Sequence, residues 1–252
     1  MIKLSRDYTI AHISDIHVGE YGFREDKFLE CIREVNELSP DLTVITGDLT
    51  FGGLPNEFEG AKKLIDRLDL KPLIVMGNHD AKNVGYNFFE EIFGERMVEY
   101  EDDVVFLVGV DSTQPDVDEG HIGREFRVYI HKMLSNAPEN KIKIFMLHHH
   151  LVPVPMAGRE RDILVDAGEI LKMLIDDEVD LVFCGHRHVP WIWRIENMHV
   201  IHSGTAGSPR TRGLRDQSYV VTRIHDDKLS VCLKPIGQPE ENLRETTLSK
   251  RQ

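Results

Sequence analysis

Five short stretches of this chain set metal-seeking side chains at the abrupt ends of apolar runs. "SDIH" contributes Asp15 and His17, "TGD" contributes Asp48, and "GNHD" contributes Asn78, His79 and Asp80. "LHHH" contributes His148, and "GHRH" supplies His186 and His188. Carboxylate and amide oxygens mixed with imidazoles, with no thiolate among them, suit Mn²⁺, Fe²⁺/Fe³⁺ or Zn²⁺, with Mg²⁺ the weakest candidate. There are too many for one tetrahedral ion. Two divalent metal ions sharing a bridging carboxylate would use the whole set. Held roughly 3.5–4 Å apart, such a pair lowers the pKa of a bridging water and clamps phosphate oxygens. The chemistry that follows is in-line attack of a metal-bridging hydroxide on a phosphoester. A charged imidazole near the leaving group can supply the proton that a departing alkoxide needs.

The elements between these stretches explain how they could converge. "YTIAHIS", "DLTVIT", "PLIVM", "VVFLVGV", "KIFML" and "DLVFC" are rich in apolar residues with little alternation, which predicts buried strands. Amphipathic stretches over 24–38 and 56–68 separate the first three runs, and a helix is expected over 123–134. Asp166 is a fair N-cap for "AGEILKMLIDD". Strand, loop and helix in repetition predict an α/β layered fold. In open α/β sheets ligands bind outside the carboxyl ends of the strands, where all five stretches lie. Beyond Gly185 the pattern turns to short strands without helices, "WIWRI", "MHVIHS", "SYVVTRI" and "LSVCLKPI". One domain is expected over 1–236, followed by a loosely held polar tail over 237–252.

Bulk properties narrow the classes. A chain of 252 residues, 41% of them apolar, can bury a sizeable core. Cys31, Cys184 and Cys232 are widely spaced and make no CxxC pair, so a reducing cytoplasm is the expected compartment. No apolar stretch approaches a membrane span and the first residues lack a secretory core, so no membrane partner is expected. A formal charge of -13 opposes binding to polyanions, so no stable nucleic-acid partner is expected either. A small phosphoester substrate stays open, because bound cations reverse the field locally. A homodimer also stays open.

The ordered set DxH, GD, GNHD, H and GHxH, running from Asp15 to His188, resembles the calcineurin-like metallophosphoesterase superfamily. The resemblance implies a four-layer α/β/β/α sandwich of two mixed sheets, with a dinuclear site at the strand C-terminal ends. It implies Asp15, His17 and His188 around one metal and Asn78, His148 and His186 around the other, with Asp48 bridging. It also implies His79 as proton donor to the leaving group, oriented by Asp80.

Departures from the pattern narrow the kind. Purple acid phosphatases carry a tyrosinate ligand three residues after the bridging aspartate, where Phe51 stands here. Protein Ser/Thr phosphatases carry GDxVDRG and GNHE, whereas this chain reads "GDLTFGG" and "GNHD", without their phosphate-binding arginine. The pattern is closest to small bacterial and archaeal phosphodiesterases, including class III cyclic-nucleotide phosphodiesterases and glycerophosphodiesterases. Their usual "HHP" is replaced by "HHHLVPVP". The implied function is a phosphodiesterase acting on a small or cyclic nucleotide. Alternatives are a phosphomonoesterase or DNA nuclease on the same core, or a non-catalytic metal-binding scaffold.

Secondary candidates for substrate contact are His149, Arg159 and Arg161 of "GRERD", and Gly204 and Thr205 of "SGTAGSPRTRG". Each competes with a plain structural or surface role. Trp191 and Trp193 are expected to pack rather than stack on bases.

Overall fold

A computed structural model of the chain describes residues 7–213 and 215–248. Its strands form two six-stranded mixed sheets. In the first, β1 (Tyr8–Ile13), β2 (Leu42–Thr46) and β3 (Leu73–Val75) run parallel in that order. On the other side of β1 lie β10 (Ser218–His225), β11 (Lys228–Pro235) and β12 (Glu241–Thr247), all antiparallel to their neighbours. In the second sheet β5 (Val105–Gly109), β6 (Ile142–Met146), β7 (Leu181–Cys184) and β9 (Met198–His202) run parallel. β4 (Val98–Glu101) and β8 (Trp191–Ile195) close its two edges antiparallel.

Three apolar layers hold these sheets in a four-layer order. Ile10, Val44, Val220 and Val231 of the first sheet meet Leu107, Ile144 and Phe183 of the second, face to face. The opposite face of the first sheet, through Ala11, Ile13 and Ile45, packs on α1 (Glu25–Leu38), α2 (Pro55–Ile65) and α3 (Gly85–Phe93). The outer face of the second sheet, through Val108, Phe145 and Val182, packs on α4 (Arg124–Ser135) and α5 (Ala167–Asp176). Strands covered on both faces are enclosed along their whole length, which is why β2, β5, β6 and β7 are buried throughout and mostly apolar, with the buried Lys143 of β6 donating to Asp177 O at 2.8 Å.

The helices follow local rules. In α1, Phe28, Cys31, Ile32 and Val35 are buried at one-turn spacing and form its inner stripe. Pro55 opens α2, where its missing N–H costs nothing. The Glu57 carboxylate turns back to accept from the Gly52 and Leu54 N–H groups at 2.7 and 3.3 Å. Asp166 stands at the start of α5, but its carboxylate accepts from the Ile122 and Gly123 N–H groups, at the head of α4.

The expected loose tail is corrected from Glu241 to Thr247. Those residues pair with β11 from Lys228↔Thr247 to Leu233↔Glu241, with a register shift at Val231/Cys232. Among the described residues of this end, only Leu243 and Leu248 reach the inter-sheet layer, so an edge strand was hidden under a polar sequence. Residues 249–252 of that tail lie outside the described residues. Among the described residues, no helix is long and apolar enough to cross a membrane.

Candidate metal centre

The loops after β1, β2, β3, β6 and β7 meet above the seam between the sheets. Backbone bonds fasten them together: Asp15 N–H donates to Gly47 O at 3.1 Å, and His17 N–H to Asp48 O at 2.9 Å. Gly47 has φ +80°, and a Cβ there would lie 2.5 Å from the Gly77 nitrogen. A Cβ on Gly185 would sit 2.0 Å from Ser14 Oγ and 2.8 Å from Asp15 Oδ2. Only glycine allows so close an approach. Asp15, His17, Asp48, His186 and His188 are all in the left-handed region, with φ between 54° and 72°. Such conformations cost about 1–2 kcal/mol each for residues with a Cβ, and they cluster at functional sites.

Apart from the half-buried His79 and His186, the side chains these loops deliver are buried, and they point at one another. His17 Nε2 and His188 Nε2 face each other at 3.1 Å, and Asp15 Oδ1 lies 3.2 Å from His188 Nε2. On the other side, Asn78 Oδ1 lies 3.1 Å from His148 Nε2 and 3.0 Å from His186 Nδ1. Between the two groups stands Asp48. Its Oδ2 is 3.4 Å from His17 Nε2 and 3.4 Å from His148 Nε2.

Hydrogen bonds behind the site fix which nitrogens face inward. His148 Nδ1 donates to Thr46 O at 2.7 Å and His188 Nδ1 to Arg210 O at 2.8 Å, so Nε2 is the nitrogen that each turns toward the centre. Asp15 Oδ2 accepts from Ser14 Oγ and the His186 N–H, leaving a buried Oδ1 without a hydrogen-bond partner. Burial alone would raise the Asp15 and Asp48 carboxyls, but the surrounding histidines hold both well below the usual carboxylate range. Burial would likewise lower His148, yet Asp48 and Asp15 outweigh it and push the imidazole up to about 9. Two ionised carboxylates that draw a proton onto His148 in a buried pocket call for positive charge, which bound cations would supply in place of that proton. The donor set therefore fits two divalent cations, one on each side of Asp48.

The calcineurin-like phosphoesterase profile matches residues 8–190, which contain all of these side chains. The chain belongs to the calcineurin-like phosphoesterase family. It is 28% identical over 196 residues to a probable glycerophosphodiester phosphodiesterase of Arcobacter nitrofigilis, covering 71% of each chain. It is 27% identical over 205 residues to a probable cyclic nucleotide phosphodiesterase of Xenorhabdus bovienii, covering 75% of this chain and 82% of that one. A purple acid phosphatase from yellow lupin (Lupinus luteus) seeds has a similar fold, with TM-score 0.72 at 13% identity. That match takes in 95% of this chain but only 54% of the lupin protein. This phosphoesterase is thus a metal-dependent phosphoric ester hydrolase built around a dinuclear divalent centre.

The remaining candidates of the phosphoesterase fare differently. His79 is half-buried at the mouth, its ring edge-on to His17 with centroids 4.7 Å apart. The expectation that Asp80 grips this imidazole is corrected. Asp80 Oδ1 accepts from the Thr50 N–H and hydroxyl, both at 2.8 Å, and Oδ2 from the Leu49 and Gly77 N–H groups. It ties the Asp48 loop to the Asn78 loop, and burial followed by the nearby Asp48 charge raises its carboxyl to about 6. What holds His79 is the Phe51 carbonyl.

Three further candidates are corrected. His149 is fully buried, with Nδ1 on Ser112 Oγ at 2.8 Å and Nε2 on Asp118 O at 3.0 Å, so neither nitrogen is left for substrate. Thr205 gives its hydroxyl to Asp15 O at 2.6 Å, and Gly204 lies buried against Ser218. Both brace the centre from behind rather than closing a pocket. Arg159 and Arg161 are exposed on a loop anchored to Arg187, between the two histidines of "GHRH". His150 stacks on His186 with centroids 5.5 Å apart and pairs with Glu160. Trp191 packs on Val154, Ala157 and Val189, and Trp193 donates to Pro153 O.

Sequence reading missed the backbone carbonyls of Thr46, Phe51 and Arg210 that aim the imidazoles. A main-chain acceptor leaves no mark in a side-chain pattern. Arg187 did leave one, as the residue enclosed by two candidate ligands.

Proposed function

We propose that this phosphoesterase hydrolyses phosphodiesters, with small or cyclic nucleotides as its substrate class. The observation that carries the reading is the position of Asp48 Oδ2, equidistant at 3.4 Å from His17 Nε2 and His148 Nε2. Asp15, His17 and His188 are assigned to one ion, Asn78, His148 and His186 to the other, and Asp48 to both. The oxygen and imidazole mixture favours Mn²⁺, Fe²⁺/Fe³⁺ or Zn²⁺ over Mg²⁺. When bound, the ions would acidify a water and neutralise phosphate oxygens.

The chain's own part is to position the ester and manage the leaving group. Because His79 Nδ1 donates to Phe51 O at 2.6 Å, Nε2 is the nitrogen free to pass a proton to a departing alkoxide. A diester carries one negative charge, which two cations neutralise without further cationic help. The names of the two bacterial relatives support a small diester. Three buried free cysteines favour a reducing compartment, and we assign the cytoplasm.

The test is a metal-reconstituted panel of bis-p-nitrophenyl phosphate, p-nitrophenyl phosphate, 3′,5′- and 2′,3′-cyclic nucleotides, glycerophosphodiesters and single-stranded DNA. In Mn²⁺ the small diesters should have higher kcat/KM than the matched monoester. A preference for the monoester or for DNA would overturn the diesterase reading.

A further inference from the structure

A second pocket opens beside the metal centre. It has a volume of about 530 Å³ and is lined by Met156, Ala157, Gly158, Arg159, Arg161, Arg212 and Gly213. That size suits part of a small ligand. Its charge runs against that of the whole chain, which carries -13.

The pocket is joined to the centre through Arg187. This side chain is 3% exposed and lies between the candidate ligands His186 and His188. Its guanidinium donates to the carbonyls of Ala157 and Arg159 at 3.1 and 2.9 Å and of Arg161 at 3.1 Å. Those carbonyls are therefore turned inward, and the loop presents its arginine side chains outward. Arg187 Nε remains a buried donor without a partner. Arg212 donates to the same Ala157 carbonyl, which draws the second loop against the first.

Nearby acids offset only part of this charge. Glu160 is engaged by His150, and Asp162 lies 3.3 Å from Arg161 Nε. Among the described residues, neither Arg159 nor Arg212 forms an ion pair. Guanidinium groups collected in a pocket match a phosphate dianion through paired N–H donors.

We propose that this pocket binds a second phosphate, a terminal phosphomonoester carried by the same molecule whose diester is cleaved at the metal centre. The substrate class is then a nucleotide diester bearing an additional phosphate. This inference rests on the diesterase reading and specifies its substrate. Arg159, Arg161 and Arg212 are specificity residues on this view, and Arg187 is a positioning residue that holds their loop to the metal ligands.

The experiment compares thymidine 5′-(4-nitrophenyl phosphate) with its 3′-phosphorylated counterpart in the Mn²⁺-loaded enzyme. Wild type should favour the 3′-phosphorylated ester by about tenfold or more in kcat/KM, as expected for charge-assisted hydrogen bonds. That ratio should collapse toward one in Arg159→Ala/Arg161→Ala, two exposed positions, and partly recover in Arg159→Lys/Arg161→Lys. Calorimetric binding of thymidine 3′,5′-bisphosphate and thymidine 5′-phosphate gives an independent readout. If neither ester is hydrolysed, the diesterase reading fails. Tighter binding of the bisphosphate that depends on the two arginines would still establish the subsite. A ratio near one in wild type, equal binding of the two nucleotides, or a preference retained in the alanine variant would overturn it. So would an equal gain from an added internucleotide diester, which places the backbone of an oligonucleotide in the pocket instead.

Discussion

The Nδ1 of His79 lies 2.6 Å from the carbonyl oxygen of Phe51. A carbonyl can only accept, so Nδ1 carries the proton and the ring is set with Nε2 as its working atom. The residue that aims the proposed acid is thus a phenylalanine, acting through its main chain.

His79→Ala should lose turnover while keeping its metals. General acid catalysis contributes about 10²–10⁴-fold, and the loss should be largest for alkoxide leaving groups of high pKa. Nitrophenolate needs little protonation, so nitrophenyl esters should suffer less. Equal losses on both kinds of ester would make His79 a phosphate-positioning group.

Asp48→Ala should lower the occupancy of both ions, because the one carboxylate oxygen within 3.4 Å of both histidine groups disappears. Asp15→Ala removes an oxygen from one side only, and should deplete one ion before the other. Metal content per chain checks both. Full retention of two ions in Asp48→Ala would remove the bridging assignment.

Gly185→Ala should damage stability and metal binding together. The new methyl would sit 2.0 Å from Ser14 Oγ and 2.8 Å from Asp15 Oδ2, so the chain must shift by moving a candidate ligand. Overpacking of this kind costs about 1–3 kcal/mol. Urea midpoints and metal content should fall in parallel. A variant with normal metal content would show that the loop yields without disturbing Asp15.

His202 predicts an acid sensitivity away from the metal ligands. Both its ring nitrogens are buried without partners. Burial first, then His150, His12 and Arg187, lower its pKa from 6.5 to about 3. Below 6.5 the unfolded chain takes up a proton that the folded chain refuses, so stability falls as the pH drops toward 3. The slope from this one group reaches about 1.4 kcal/mol per pH unit. His202→Leu should therefore lose less stability than wild type between pH 7 and pH 5, read from urea midpoints. Identical slopes would mean that the imidazole is already charged in the native state.

Much of the centre was legible because strands buried on both faces end sharply. "DLTVIT" stops at Gly47 and "DLVFC" at Gly185, and the ligands sit just beyond. β4 was not legible: "VEYE" alternates at an exposed edge and offers too little apolar surface to stand out. β12 escaped for the same reason. Asp80 was misread because adjacency to His79 in the chain suggested contact, whereas its carboxylate turns back to backbone amides of the neighbouring loop. The inward burial of His149 was equally hidden, since it depends on Ser112 from a distant loop.

Asp15, His17, Asp48 and Asn78 follow strands of one sheet, while His148, His186 and His188 follow strands of the other. Each ion would then act as a rivet through the sandwich, gripped from both halves at once. The sheets could not separate without breaking coordination, and binding to the native state alone would stabilise it by mass action. His17 and His188 are 171 residues apart, so such rivets close over a very long loop and set late in folding. Interactions absent from the folding transition state act on the unfolding rate. Loaded metal should therefore lengthen the lifetime of the folded protein far more than it hastens its formation.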